Sequence, residues 1–119
     1  MRHDSNIVQR ANKPIIGEGA RTLPVPANAV AGTAESIDAD LKAVSDISPG
    51  QTVNIGFVNP AAGGAPIYLR DGVTAGAVAA TAGAGIEIAS GEKLNVGYRV
   101  GSGWLMQNAH TVYLAVFVG

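Results

Sequence analysis

A chain of 119 residues is one domain's worth of protein, enough for a single core and too short for two. Its formal net charge of −1 excludes a global field that would draw nucleic acid or anionic lipid, and the lack of cysteine excludes disulfides and thiolate metal sites. Ala and Val supply much of the apolar share, so the core should be thin with a few large anchors, while 16 Gly and 6 Pro point to many turns.

The opening "MRHDSNIVQR" lacks the apolar core of a signal peptide. The charges that follow are uneven. Residues 1–34 carry Arg2, Arg10, Lys13 and Arg21 against Asp4 and Glu18, whereas residues 35–50 carry Glu35, Asp38, Asp40 and Asp46 against Lys42. A basic arm and an acidic strand could pair neighbouring copies, although a solvated tail beside a solvated face is the commoner cause of such a pattern. The stretch "KPIIGEGARTLPVPANAVAG" sustains no period of 2 or 3.6, and Pro24-Val25-Pro26 favours extended backbone. Residues 1–34 are therefore read as an extended N-terminal arm and residues 35–119 as a β-sandwich domain. Ile15, Ile16, Leu23 and Val25 are too apolar for a purely solvated tail, so the arm should lie on its own domain or on a neighbouring subunit.

"SIDADLKAV" alternates Ile37, Ala39, Leu41 and Ala43 against Asp38, Asp40 and Lys42, yet Ile37, Leu41 and Val44 also fit a helical stripe. The β-like chain downstream favours strand. "SPGQ" turns at Pro49-Gly50, and "TVNIGFVN" alternates Val53, Ile55 and Phe57 inward. "APIYLRDG" is a strand ending in a hairpin or turn signal at Asp71-Gly72. "VTAGAVAATAGAG" suits a loop or a closely packed edge strand, and "IEIASGEKLNVGYRV" reads as two strands around Ser90-Gly91. "GSGW" is a further turn. The apolar run "HTVYLAVFV" is expected to be a central strand with both faces covered, and it is too short to span a bilayer. Seven or eight short strands between Gly/Pro turns predict an all-β fold, a β-sandwich or jelly-roll-like barrel.

Chemistry is scarce. His3 and His110 have no spaced cluster of Cys, Asp or His with them, so no metal and no cofactor is expected. Asp38 and Asp40 would share one face of a strand, as a glycosidase pair could, but exposed acids on an amphipathic strand are far commoner, and Glu87 has the same explanation. "IASGEK" is a plain turn rather than a nucleophile elbow, and "ASGEKL" lacks the glycine spacing and the Ser/Thr of a phosphate loop. Tyr68, Tyr98, Tyr113 and Trp104 could form a sugar or base platform, though in so Ala-rich a chain they are expected first as core anchors. No enzymatic activity is expected.

A strand ending in "VN", the small-residue loop "PAAGGAP", "APIYLRDG", an Ala/Gly-rich segment, "IEIASGEKLNV" and the closing "TVYLAVFVG" form a succession over residues 48–119. It resembles small β-sandwich proteins found in the virions of tailed bacteriophages, which include capsid decoration (cement) proteins, head fibres and tail or neck components. The resemblance implies a structural role in the virion, made in the host cytoplasm, as a homo-oligomer such as a trimer that binds the major capsid protein or another virion protein and neither nucleic acid nor membrane. The residues expected at the partner interface are Arg10, Lys13, Ile15, Ile16, Arg21, Leu23 and Val25 of the arm, with Pro60, Pro66 and Arg70 at the loop edges. The competing expectation is a tail, neck or fibre component acting as a receptor- or carbohydrate-binding module through Tyr68, Arg70 and Trp104.

Overall fold

The structure, a computed structural model, describes residues 20–44, 47–72 and 85–117. The strands in chain order are β1 (Ala20–Val25), β2 (Glu35–Ser36), β3 (Thr52–Val58), β4 (Ile67–Arg70), β5 (Ile86–Ile88), β6 (Lys93–Arg99), β7 (Leu105–Gln107) and β8 (Val112–Phe117). A short helix α1 (Ile37–Leu41) follows β2, and a single 3₁₀ turn occupies Ala61–Gly63. Two four-stranded sheets result, ordered β1-β8-β3-β6 and β2-β7-β4-β5.

The pairing explains the order. The first strand lies beside the eighth, the second beside the seventh, the third beside the sixth and the fourth beside the fifth, all antiparallel. The chain is thus one long hairpin, and rolling it up brings β8 against β3 and β7 against β4. That is the jelly roll, the sandwich predicted from strand count and turn spacing. Alternation sets which side chains face inward. Along one sheet Leu23, Leu114, Phe57 and Leu94 form a continuous cross-strand row. From the other sheet Ile67 with Ile88, and Leu69 with Met106, close over it. Phe57, Ile67, Val112, Leu114 and Val116 have no exposed surface, so these few large residues anchor an otherwise small-residue core.

Three expectations need correction. The stretch after Ser36 is helix, not strand. Ser36 Oγ accepts from the Ala39 N–H at 3.3 Å as an N-cap, and Ile37, Leu41 and Val44 are buried while Ala39 and Ala43 are exposed. The helical stripe wins because it buries branched residues where alternation would bury alanines. Secondly, the last part of the expected arm is extended but belongs to the sandwich: β1 pairs with β8 from Ala20↔Phe117 to Val25↔Val112. Sheet pairing is therefore already present at Ala20, ahead of the boundary set at residue 34. Residues 1–19 lie outside the described chain. Thirdly, β8 is central in its sheet, but only one of its faces is covered, for Tyr113 is 42% exposed between buried Val112 and Leu114.

This core makes a direct prediction. Leu114→Ala, removing a side chain with no exposed surface, should cost about 2–5 kcal/mol in urea unfolding, whereas Tyr113→Ala on the outer face of the same strand should cost a small fraction of that.

Candidate functional site

In a rolled hairpin, alternate connections gather at opposite ends of the sandwich. One end collects the β1–β2, β3–β4, β5–β6 and β7–β8 connections, and two buried asparagines hold them together. Asn59, 1% exposed, follows β3 directly. Its Nδ2 donates to the carbonyls of Ala65 and Ile88, both at 2.9 Å, and its backbone N–H donates to Glu92 O at 2.9 Å. Because both amide hydrogens are committed to carbonyls, Asn59 Oδ1 must accept the 2.7 Å bond from His110 Nε2, which fixes the neutral ring as the Nε2–H tautomer. His110 Nδ1 is buried with no partner among the described residues. Gly63 lies flat on that ring, where a Cβ would overlap the imidazole, and Gly64 ends the 3₁₀ turn at φ 72°. The small residues of "PAAGGAP" therefore let a backbone turn close over a histidine.

Asn108, 2% exposed, does the same for β1 and β8. Its Nδ2 donates to Pro26 O at 2.9 Å and His110 O at 3.0 Å. Its partner is Asn28: Asn28 Nδ2 donates to Asn108 Oδ1 at 3.0 Å, and Asn108 N–H donates to Asn28 Oδ1 at 2.8 Å. Asn28 N–H also donates to Asn108 O at 3.0 Å. The two residues form a reciprocal clamp across eighty positions of chain. Nothing in residue-type motifs singled out these asparagines. The available signal was their position, one directly after Val58 of β3 and one directly after Gln107 of β7.

At the opposite end Asp38, in α1, accepts from Gly101 N–H at 2.7 Å, Gly103 N–H at 2.9 Å and Tyr98 Oη at 2.9 Å. The two glycines take φ values of 92° and 82°, which a side chain would resist, so the turn and its carboxylate brace are matched. Burial pushes the Tyr98 phenol up, assisted by the hydrogen bond and the charge of Asp38. Asp40 differs. Burial raises its carboxyl from 3.8 to about 6, and the Glu35 charge adds to the effect. Two positions apart on a helix, Asp38 and Asp40 do not share a face, so they do not converge as a catalytic pair. Glu87 is exposed.

The expected interface residues that the structure describes do not form one patch. Arg10, Lys13, Ile15, Ile16 and also His3 lie outside the described residues. Val25 is buried in the protein's own core and Leu23 packs against it, so neither is available to a partner, while Arg21 is exposed at the start of β1. Pro60 and Pro66 are half-buried and bracket the loop above His110. Arg70 lies half-buried at the end of β4 on the other sheet. The aromatic residues are separated as well. Tyr68 borders a groove of about 310 Å³ at the asparagine-braced end, with Gln107, Pro66 and Gly32. Trp104 borders an apolar cleft of about 330 Å³ with Phe57, Leu69 and Ile86. Among the described residues no three His, Cys, Asp or Glu stand close enough to hold a metal ion, and no helix is long and apolar enough to cross a membrane.

Two outcomes follow from these environments. Asn59→Ala strands two carbonyls and the His110 ring, and should cost at least about 2 kcal/mol in urea unfolding while abolishing the Nε2–H preference of His110 in ¹⁵N-detected imidazole spectra. Asp40 has a folded pKa above its unfolded value, so its contribution to stability falls as pH rises from 3.8 to about 6. Asp40→Asn should accordingly raise the melting temperature at neutral pH and leave it unchanged well below pH 3.8, where the carboxyl is protonated in both states.

No protein-family model, curated protein or solved structure matches this chain.

Proposed function

We propose that this chain is a structural protein of a tailed-phage particle, a capsid decoration protein that binds the major capsid protein as a homo-oligomer and stabilises the head. The observation that carries the proposal is the jelly-roll pairing itself, compressed into about a hundred residues. Jelly rolls serve capsid proteins, lectins and cupins alike, and fold alone does not choose among them. What favours the particle role is that the succession resembling phage virion proteins falls on the architecture element by element. "APIYLRDG" contains β4, "IEIASGEKLNV" contains β5 and most of β6, and "TVYLAVFVG" contains β8. Braced ends also suit a protein that holds neighbours together, because a pinned loop loses little conformational freedom on docking.

The attachment segment in this proposal is shorter than the sequence suggested. Deleting residues 1–32 would strip β1 from β8 and expose the Leu114 row, so that deletion removes part of the sandwich and not just an arm. Attachment is assigned instead to residues 1–19, which carry Arg10, Lys13, Ile15 and Ile16. Repeated copies on a particle would multiply weak contacts of this kind.

The test is co-sedimentation of purified protein with phage capsids stripped of accessory proteins. Full-length protein should bind saturably and in stoichiometric amounts, and more weakly at high salt because the basic residues contribute. A variant lacking residues 2–19 should keep the circular dichroism and melting profile of the full chain but lose binding. Failure of the folded full-length protein to bind would refute the decoration role, and undiminished binding by the shortened variant would refute the assignment to residues 1–19.

A further inference from the structure

The groove beside Tyr68 has features that the particle role does not use. Tyr68 and Gln107 are directly opposed across β4 and β7. They stand on the outer face of their sheet, since Ile67, Leu69 and Met106 on either side of them point into the core. Side chains so placed lie within contact of each other. Tyr68 is only half-buried, so, like the exposed Tyr113, it is not spent as a core anchor. Gln107 Oε1 is buried and has no hydrogen-bond partner among the described residues. An orphaned buried acceptor is unfavourable until a donor reaches it.

The rest of the groove is small and rigid. Ala31, Gly32 and Pro66 line it. The reciprocal Asn28–Asn108 clamp holds one wall, and the bond from Asn59 to Ala65 O holds the other. At about 310 Å³ it is at the lower end of the range for small-molecule sites, roughly 300–1,000 Å³.

We propose that this groove is a subsite for a neutral pyranose, with one sugar face against the Tyr68 ring and, once the half-buried Gln107 side chain turns its Oε1 into the groove, a sugar hydroxyl donating to that oxygen. The alternatives fit less well. Among the described residues no charged side chain lines the groove, so an anion or cation would meet no counter-charge there. A wholly apolar ligand would leave Gln107 Oε1 orphaned. An extended peptide adding to the sheet needs a free strand edge, but β4 and β7 are both interior strands with a neighbour on each side. A pyranose offers an apolar C–H face and directional hydroxyls together. Independent of any capsid, the subsite is a property of the isolated protein.

It is tested by ¹H–¹⁵N correlation spectra of the full chain titrated with glucose, galactose, mannose and N-acetylglucosamine, with glycerol and diglycine as controls. At least one pyranose should give saturable, millimolar shifts centred on the amides of Tyr68, Gln107, Ala31 and Gly32, and neither control should. Tyr68→Ala and Gln107→Leu, each checked for native spectral dispersion, should weaken that binding at least tenfold. The proposal is overturned if no pyranose saturates these amides, if diglycine does so instead, or if both folded variants bind as the parent does.

Discussion

Backbone satisfaction at the sheet crossings is the constraint on which the rest of this protein depends. Of the seven connections between the eight described strands, all but β4–β5 carry the chain from one sheet to the other. A chain leaving a sheet gives up its ladder partners, yet short strands and tight connections keep many of those backbone groups partly buried beside the core, where water serves them less well. Asn59, Asn108 and Asp38 supply the missing partners. Each side chain makes at least three hydrogen bonds, at least two of them to groups outside its own connection, and each thereby ties separate strand ends together.

The choice of residue at each brace follows from what has to be satisfied. Where the orphaned groups include carbonyls, as at Ala65, Ile88 and Pro26, the brace is an amide, which can donate. Where they are N–H groups, as at Gly101 and Gly103, the brace is a carboxylate, which only accepts and does so more strongly. Glycine completes the arrangement by removing bulk where backbones meet side chains. Gly63 rests on His110, and Gly72 is seated against the Gly103 carbonyl. The braced connections of a thin sandwich are held in place without a large core beneath them, and surfaces so held suit either a neighbouring subunit or a small ligand.

Much of the architecture was legible in the chain. The alternation of Val53, Ile55 and Phe57, the turns at Pro49-Gly50 and Ser90-Gly91, and the closing strand all correspond to observed elements, because half-buried strands write a period of two and tight turns require Gly and Pro. The errors have local causes. The segment from Ile37 satisfies both periods over its first five residues, and only its packing distinguishes a buried Val44 from an exposed Ala43. Pro24 made β1 look unlike a strand, yet β1 is at the edge of its sheet, where a proline is tolerated. The aromatic platform weighed as an alternative to core anchors does not assemble, because Tyr68 is on the outer face of β4 while Trp104 packs against the core from the β6–β7 turn, a separation that no linear spacing reveals.

The sequence by itself determined the fold class, since the spacing of apolar residues and turn formers is a local property of the backbone and survives without knowledge of partners. It also placed an asparagine at the ends of β3 and β7. Only the tertiary structure decided what those asparagines do, which part of the N-terminal stretch is sheet, and where a groove opens. Each of those depends on which distant segment arrives alongside: Asn28 meets Asn108, Asn59 meets His110, and Tyr68 meets Gln107. Rolling a hairpin joins residues at opposite ends of the chain, and the energy of such a pair depends on its geometry, which the identity of either residue alone does not specify.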